Sequence, residues 1–482
     1  MPPELTATTA RWLVSEPGRE LVRRITAALD AGRDVLAIST DGTVRRAASD
    51  PERLAAAVAA GVARRRARER HLDADEWLFT REALEQASDP TVSSWRARRY
   101  LDAVVVDLCS GVGGDAAALL ATARELVTVE RDEGRAVLAR HNLAVAARRL
   151  DVGTPARTTG DGRVRVGVGD ALAVAGVRPL DDAPTVAAGQ PGASGGGPRS
   201  DFRTDDRLVH VDPGRRVGDR RTQDPMLTQP PVDALLARHR GAAGMGIVLA
   251  PGVDADHPAL RVAGRDRDVG ASPAGDDGTA GVGAMPDGGI EVEYVQLGGT
   301  LIEAVAWTGV LRDGTARASA TLLPRPDGPG AGDGEIHRLV RRGARGPRRP
   351  IGPVGDVLVE VAPAAIRARL HDDIGERLGL HRLAAHRALL SGDELPRDPW
   401  VRARPVLAVI RARPGAVRAW LREHDVGPVE IVTHGVRVDP TPFWRDIGRP
   451  PRGPHGIRIE LVRRDDDSVA IITDDAAGWH GW

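Results

Sequence analysis

The segment AVVVDLCSGVGGDAAALLATARELVTVE, Ala103–Glu130, decides the fold of this chain. An apolar run ends at Asp107, a glycine-rich turn follows, and a helical stretch leads to a second apolar run that ends at Glu130. Continuous apolar runs of this length are typical of parallel strands that are buried on both faces. The segment therefore predicts a strand, a tight turn, a helix and a second parallel strand.

The glycines of the turn predict a binding site for a polar cofactor. They permit a close approach of the backbone to a ligand, and the first amide groups of the next helix would face that ligand. A glycine triplet after a strand also fits a dinucleotide, so the turn alone leaves NAD and S-adenosylmethionine open. The candidate cofactor-binding residues of the turn are Cys109, Gly111, Gly113, Gly114 and Asp115.

Acidic residues at the ends of four successive predicted strands favour S-adenosylmethionine. Asp107 lies inside the turn, where a carboxylate would meet the methionine ammonium but would repel a pyrophosphate. Glu130 is placed to hydrogen-bond both ribose hydroxyls, which either cofactor needs. Asp170 ends the third strand, where it can accept a hydrogen bond from the adenine amino group, and Asp212 ends the fourth.

Short apolar runs continue to alternate with helical stretches after this segment. The alternation predicts an α/β fold with a Rossmann-like, seven-stranded sheet whose helices cover both faces. The seven predicted strands are AVVVD (103–107), LVTVE (126–130), VRVGVG (164–169), LVHVD (208–212), GIVLA (246–250), EVEYVQ (291–296) and RASATLL (317–323).

The length of 482 residues predicts two to four domains, since domains commonly hold ~100–200 residues. Stretches rich in Gly, Pro, Asp and Arg mark insertions or linkers. The predicted organisation is a helical region at 1–98, the sheet domain at 99–325 with insertions near 184–207 and 264–289, a linker at 326–354 and a small α+β domain at 355–482.

Composition restricts the possible partners and location. The 67 basic residues balance 67 acidic ones, so affinity for nucleic acid must come from local patches. Cys109 is the only cysteine, which excludes an intramolecular disulfide and a cysteine zinc cluster. The histidines form no metal-ligand motif, so no metal is predicted. Without a signal peptide or a run of about 18 apolar residues, we expect a cytoplasmic protein that does not enter membranes.

The motifs resemble those of class I S-adenosylmethionine-dependent methyltransferases. DLCSGVGGD (107–115), VERD (129–132) and TLIEAVAWTGVL (300–311) are similar to the trimethylguanosine synthase group, which methylates an exocyclic guanine nitrogen on RNA. WLFTREALEQAS (77–88) and GAVRAWLREHDVGPVEIVTHGVRVDP (415–440) resemble a bacterial methyltransferase family with a THUMP-like C-terminal domain. The resemblance covers nearly the whole chain apart from the insertions, and it implies that the C-terminal domain holds RNA.

The fourth predicted strand is followed by Asp212-Pro213, which the resemblance implies is the catalytic pair. In methyltransferases that act on amines, such a pair accepts hydrogen bonds from the target amine and points its lone pair at the methyl group. The aromatic residue that usually follows is missing here, because Gly214, Arg215 and Arg216 occupy those positions. The two arginines are candidate substrate-binding residues that would either grip phosphate or pair internally with acids.

Three further features leave alternatives open. Cys109 is a candidate nucleophile, although a small side chain packed beside the cofactor fits its place in the turn better. The basic run Ala63–His71 is either a solvated helix face or a nucleic-acid contact. Trp420, Phe443 and Trp444 either stack on bases or fill a small core, and helical spacing favours the core.

The sequence thus predicts an S-adenosylmethionine-dependent methyltransferase that acts on an exocyclic base amine of RNA, with guanine N2 favoured. The expected partner is rRNA or tRNA. A methyltransferase of a protein or small molecule and a non-catalytic RNA-binding protein are the alternative functions.

Overall fold

The structure is a computed structural model that describes most of the chain. The chain divides into two compact units, Met1–Glu291 with Ala304–Thr315 and Val292–Glu303 with Ala316–Trp482. The predicted domain limits remain a prediction, and the predicted insertions lie almost entirely outside the described residues. The described residues are 5–69, 75–153, 164–180, 204–218, 220–260, 289–325, 334–343, 346–385, 388–436, 440–448, 453–464 and 467–475.

The N-terminal region of the first unit is helical. Several of its helices begin where a side-chain oxygen can cap free amide groups: Thr80 accepts from Ala83 N at 3.0 Å, and Asp89 accepts from Thr91 N at 2.9 Å. The helices are α1 (Ala7–Val14), α2 (Glu16–Asp30), α3 (Val35–Thr40), α4 (Gly42–Ala48), α5 (Pro51–Glu69), α6 (Arg81–Gln86) and α7 (Pro90–Ala97).

A parallel sheet follows these helices in the first unit. Its strands are short and apolar because helices cover them, and α8 and α9 each connect two parallel neighbours. The elements of this part of the chain are β1 (Val104–Leu108), α8 (Gly114–Thr122), β2 (Glu125–Glu130), α9 (Glu133–Gly153), β3 (Val164–Val168), β4 (Arg178–Pro179), β5 (Leu208–Val211), β6 (Arg216–Val217), β7 (Arg220–Arg221), α10 (Val232–Arg238) and β8 (Gly244–Leu249). Of these, β4 pairs antiparallel with β3, and β6 and β7 form a separate two-stranded sheet.

The strands β3, β2, β1, β5 and β8 lie side by side in that order and are all parallel. Parallel strands end at the same edge of a sheet, so the residues that follow β1, β2, β3 and β5 share one edge. This edge carries the acidic residues that the sequence places at strand ends.

The next four strands are β9 (Glu291–Leu297), β10 (Thr300–Trp307), β11 (Ala318–Leu323) and β12 (His337–Arg341). The residues Ala304–Trp307 of β10 belong to the first unit and pair antiparallel with β8. In the second unit β11 pairs in parallel with β9 and antiparallel with β12.

The predicted count of seven strands is wrong. Each of the seven predicted segments contains a strand, but ten strands are hydrogen bonded in the order β12-β11-β9-β10-β8-β5-β1-β2-β3-β4. The prediction missed β10, which follows β9 after Gly298 and Gly299. It also missed β12, which lies inside the predicted linker 326–354, and the two-residue edge strand β4.

The C-terminal part of the second unit contains a seven-stranded sheet in the order β14-β15-β13-β16-β19-β18-β17. β17 and β18 are parallel because helix α14 crosses between them, and β18 and β19 form a hairpin. The elements are β13 (Val357–Val361), α11 (Pro363–Arg367), α12 (His371–Arg377), β14 (His381–Arg382), β15 (Leu389–Gly392), β16 (Val401–Arg411), α13 (Pro414–Glu423), β17 (Val426–His434), α14 (Pro440–Ile447), β18 (His455–Arg464) and β19 (Asp467–Asp474).

One buried side chain fastens the N-terminal region to the glycine turn. Asn142 on α9 is fully buried, and its amide group donates to Leu78 O at 3.0 Å and to Val112 O at 2.9 Å. Its oxygen accepts from Leu78 N at 2.9 Å. The only asparagine of the chain thus satisfies three buried backbone groups, two in the segment before α6 and one inside the turn.

We expect Asn142→Ala to lower the free energy of unfolding by about 2–4 kcal/mol, because it leaves those buried backbone groups without partners. Urea denaturation measures this change. The control Ala144→Gln, at an exposed position of the same helix, should change the unfolding free energy by less than about 0.5 kcal/mol. A loss below about 1 kcal/mol in Asn142→Ala would show that water or another group replaces the amide.

Candidate functional site

The glycine turn between β1 and α8 leaves open space beside its backbone. Gly111 and Gly113 adopt positive φ angles of 56° and 91°, and the non-glycine residue Cys109 also has a positive φ of 64°. A Cβ atom added at Gly111 or Gly114 would meet nothing within 4 Å, whereas one at Gly113 would meet Ala139 of α9 at 3.5 Å. Gly113 therefore serves the helix packing, while Gly111 and Gly114 border space that a ligand can enter.

Four carboxylates gather at the edge of the sheet next to this turn. In the strand register Leu108 pairs with both Val129 and Val211, so the residues that follow β1 lie between those that follow β2 and β5. Asp107, Glu130 and Asp212 therefore lie close together. Asp170 follows β3 one strand further along, is exposed, and accepts a hydrogen bond from Leu172 N at 2.7 Å.

Asp107 is a buried acid with an unused acceptor. Its residue is 1% exposed, and its Oδ2 has no hydrogen-bond partner among the described residues. Burial, followed by the charges of Asp115, Asp212 and Glu130, raises the pKa of Asp107 well above its ordinary value. Ser110 Oγ in the same turn is buried without a partner as well. Such orphaned polar atoms are expected where a polar ligand completes the site.

Glu130 holds the turn in place. Its Oε2 accepts from Gly111 N at 2.9 Å, and its Oε1 accepts from Asp132 N at 2.9 Å and from Arg135 Nε at 3.1 Å. Each carboxylate oxygen can accept more than one hydrogen bond, so these contacts leave acceptor capacity for a ligand hydroxyl.

Cys109 is a poor nucleophile in this setting. Burial and the surrounding acids, Glu130 first among them, raise the pKa of its thiol above the ordinary value. A thiol that stays protonated at neutral pH reacts slowly, which favours the interpretation of Cys109 as a packed side chain of the turn.

Asp115, a predicted cofactor-binding residue, lies in a buried ion-pair network. It pairs with Arg96 of α7, whose side chain is 1% exposed, and its Oδ2 lies 3.1 Å from His210 Nε2. The Tyr100 hydroxyl lies 3.4 Å from His210 Nδ1 and donates to Val209 O at 3.2 Å. The network joins the N-terminal region, the first turn of α8 and the strand that leads to Asp212.

The charges of this network are set by its geometry. Burial opposes ionisation of Asp115, but the contacts with Arg96 and His210 outweigh it and lower the pKa of Asp115. Burial lowers the pKa of His210, although Asp115 opposes that shift. A charged Asp115, a charged Arg96 and a neutral His210 follow. Sequence analysis missed Arg96 and His210, because no motif marks them.

The segment after β5 places Arg215 and Arg216 in different surroundings. Gly214 N donates to Gln229 O at 2.9 Å, which fixes the backbone just after Asp212-Pro213. Arg216 pairs with Glu85 of α6 at 2.7 Å, so the internal pairing holds for this arginine. Arg215 is half-buried and forms no ion pair within the described part of the chain. Of the two arginines, Arg215 is the one whose guanidinium a ligand could still contact.

The arginines of the basic run Ala63–His71 have different surroundings in the described part of the run, 63–69. Arg64 is buried and donates to Trp77 O at 3.1 Å, and burial lowers its pKa to about 10, so it keeps its charge at neutral pH. Arg65 donates to Leu29 O, and Arg68 pairs with Asp30 and Asp75. Arg64 fits neither interpretation of the run, because it is buried, whereas Arg65 and Arg68 are exposed and fit a solvated helix face.

The C-terminal aromatic residues belong to a core. Phe443 is buried, and Trp420 and Trp444 pack partly buried against the same cluster. Trp420 also stacks on His424 at a ring-centroid distance of 3.9 Å. The packing role that helical spacing favoured is confirmed for these side chains.

In the described residues, one group of side chains could hold a metal ion: Glu360, His434 and Glu460. Arg404 and Arg458 already lie within 4 Å of both carboxylates, so the negative charge is balanced without an ion. In the same part of the chain no helix is long and apolar enough to cross a membrane.

Comparison with known proteins agrees with this geometry. The chain is 28% identical over 398 residues to uncharacterised S-adenosylmethionine-dependent methyltransferases from two strains of Mycobacterium tuberculosis, and the match covers 83% of this chain and 88% of theirs. No protein-family model matches the chain.

A crystal structure of a candidate methyltransferase from Porphyromonas gingivalis has the same fold. It superposes with a TM-score of 0.64 at 15% identity, and the match covers 94% of this chain and 98% of that one. The fold, the open glycine turn and the similarity along the chain define an enzyme class: the chain is an S-adenosylmethionine-dependent methyltransferase.

We expect Arg96→Met to lower the free energy of unfolding by about 3–5 kcal/mol, because it leaves the charge of Asp115 buried without its partner. The double variant Arg96→Met with Asp115→Asn should lose less than the single variant, since the buried charge is also removed. Thermal and urea unfolding measure both. Arg98→Met, at an exposed neighbour, is the control and should cost no more than about 1 kcal/mol.

Proposed function

We propose that this methyltransferase acts on an exocyclic base amine of RNA, with guanine N2 as the favoured acceptor. The observation that carries the proposal is the position of Asp212-Pro213. The pair follows β5, whose last residue is in register with Leu108, so Asp212 lies beside the glycine turn. A carboxylate at that point can bind an amine and face the methyl group of a cofactor in the turn.

The residues of the turn fit S-adenosylmethionine. Asp107 would bind the ammonium of its methionine part, which provides a partner for the orphaned Oδ2. Glu130 would bind the ribose hydroxyls with its spare acceptor capacity, and the exposed Asp170 would accept from the adenine amino group. Gly111 and Gly114 leave the space that the cofactor backbone needs. The bound cofactor supplies an electrophilic methyl group on a sulfonium.

Catalysis in this scheme is mainly alignment. Asp212 accepts a hydrogen bond from the acceptor amine, while Pro213 and the Gly214–Gln229 backbone bonds limit movement of the loop. The nitrogen lone pair forms the new N–C bond as the C–S bond breaks, and the released proton passes to Asp212 or to water. Holding the two reacting atoms in line lowers the barrier without a covalent intermediate.

Arg215 supports a nucleic-acid acceptor. Its guanidinium has no ion-pair partner within the described residues and follows Asp212-Pro213 by two positions, where a phosphate next to the target base would lie. In this proposal the C-terminal α+β unit is THUMP-like and holds the RNA.

A protein or small-molecule acceptor is the second candidate. The contacts of Arg64, Arg65 and Arg68 with partners of the same chain favour it, because they reduce the charge that the basic run offers to a phosphate backbone. Salt dependence distinguishes the two candidates. RNA binding through several phosphates weakens steeply with added salt, whereas binding of an uncharged acceptor does not.

We expect Asp107→Asn to weaken binding of S-adenosylhomocysteine about tenfold to a hundredfold, the loss typical of a charge-assisted hydrogen bond. The ligand-free variant should be more stable than the wild type, by about 1 kcal/mol at mildly alkaline pH. Calorimetric titration and urea denaturation measure the two effects. Asp233→Asn, exposed on α10, is the control and should change neither.

The pH dependence of this effect has a definite sign. The pKa of Asp107 is raised in the folded chain, so its protonated form stabilises folding at acid pH, and that contribution is lost as the pH rises through the raised pKa. The stability gap between Asp107→Asn and the wild type should therefore widen with rising pH. If the difference in unfolding free energy between Asp107→Asn and the wild type narrows as the pH rises, the carboxyl group of Asp107 is not buried without a compensating charge.

We expect Asp212→Ala to slow methyl transfer by at least about a hundredfold, because the acceptor amine loses its alignment and its proton acceptor. Cofactor affinity should change less than about threefold, since Asp212 does not bind the cofactor in this scheme. The assay follows the labelled methyl group into total RNA and identifies the product by mass spectrometry of nucleosides. Asp233→Ala is the control, and unchanged transfer in Asp212→Ala would sink the mechanism.

A further inference from the structure

The N-terminal helices enclose a groove that the proposed reaction does not use. Its volume is about 690 Å³, within the range of small-molecule sites. Helix α5 forms the floor, and residues of α3, α4 and α6 form the walls. We call it the helical groove. It lies wholly within the first unit.

The floor of the helical groove is an apolar stripe along one face of α5. Leu54, Val58 and Val62 line it at intervals of four residues, and Arg66 follows at the same interval. Residues four apart lie on one face of a helix, and the rise of 1.5 Å per residue gives the stripe a length of about 18 Å. The groove is therefore long, and one of its ends carries a positive charge.

The rim of the helical groove is basic. Arg45, Arg66 and Arg81 line it with one acid, Glu85. Glu85 is already shared between Arg81 at 3.0 Å and Arg216 at 2.7 Å. The side chain of Arg66 forms no hydrogen bond or ion pair within the described residues, and the side chain of Arg45 donates only from its Nε, to Ser39 O at 3.1 Å. The unbalanced charge at the groove is thus positive, from Arg45 and Arg66.

We propose that the helical groove binds one amphipathic anion, a saturated acyl chain with a carboxylate head. The chain lies along the stripe of α5, and the carboxylate binds Arg66 at its end. An apolar floor with a guanidinium at the end matches that chemistry in both charge and shape. The proposal does not depend on the identity of the methyl acceptor.

Other occupants fit the groove less well. A helix about 10 Å wide and 18 Å long occupies about 1,400 Å³, roughly twice the volume of the groove, so a partner helix would enter it with only one face. A bilayer presents its chains end-on, whereas the floor of the helical groove runs lengthwise between two walls. A single chain in extended form fits along the stripe of α5 with volume to spare.

The test titrates the full chain with dodecanoate below its micelle concentration in a calorimeter. We expect one site, with affinity that rises about twofold to fourfold for each methylene along the series octanoate, decanoate and dodecanoate. Dodecyltrimethylammonium, which has the same chain and the opposite charge, should bind at least tenfold more weakly. Equal affinity for the two head groups would overturn the proposal.

Two variants locate the site. Ala59→Trp places a large ring in the groove from an exposed position of α5 and should weaken dodecanoate binding at least tenfold. Ala27→Trp, at an exposed position of α2 outside the groove, should leave binding unchanged. Arg66→Gln should weaken binding about fivefold. Circular dichroism melting and affinity for S-adenosylhomocysteine show that each variant is folded.

The remaining outcomes contradict the proposal. Binding that persists in Ala59→Trp places the acyl chain elsewhere on the protein. Sedimentation with phosphatidylglycerol vesicles, lost in Ala59→Trp and without binding of monomeric dodecanoate, would identify a membrane face instead. If a Glu-rich amphipathic helical peptide binds in an Ala59-dependent manner while dodecanoate does not, the groove is a protein docking site.

Discussion

The buried contact between Arg96 and Asp115 is the constraint on which the cofactor site depends. Three other carboxylates, Asp107, Glu130 and Asp212, lie within reach of each other's charge at the same sheet edge. Like charges this close destabilise the folded chain unless a cation lies nearby. Arg96 supplies one such cation from a helix outside the sheet, where it contacts the first turn of α8, and Arg135 supplies another beside Glu130. The N-terminal region is therefore tied to the glycine turn and its carboxylates by a buried ion pair.

Glu130 and Asp107 differ in role because they differ in hydrogen-bond partners. Glu130 is satisfied by backbone amides and Arg135, so it holds the turn, whereas Asp107 is left with an unused oxygen in a buried place. Keeping such an oxygen costs stability in the ligand-free chain, and a cationic ligand reverses that cost when it binds. Burial of Asp107, together with the charges of Asp115, Asp212 and Glu130, is what raises its pKa.

Local patterns in the sequence predicted the fold well, but they did not predict contacts between residues that lie far apart in the sequence. The turn from Asp107 to Gly114 and the strands that lead into it depend on neighbours along the chain, so their residues could be read directly. The bond between Asn142 and Leu78 spans 64 residues, and no periodicity records it. Its one available signal was that Asn142 is the only asparagine of the chain. Strand β10 was readable, since two glycines between apolar runs indicate a hairpin.

The arginines show why charge patterns in this sequence do not translate into a binding surface. In a chain without lysine every cation is a guanidinium with several donors, and these donors suit backbone carbonyls as well as carboxylates. Arg64 and Arg65 donate to carbonyls, and Arg216 pairs with Glu85. The capacity to bind an external anion then depends on which guanidinium groups form no ion pair within the described residues. Arg215, two positions after Asp212-Pro213, and Arg66, at the end of the helical groove, are two such groups.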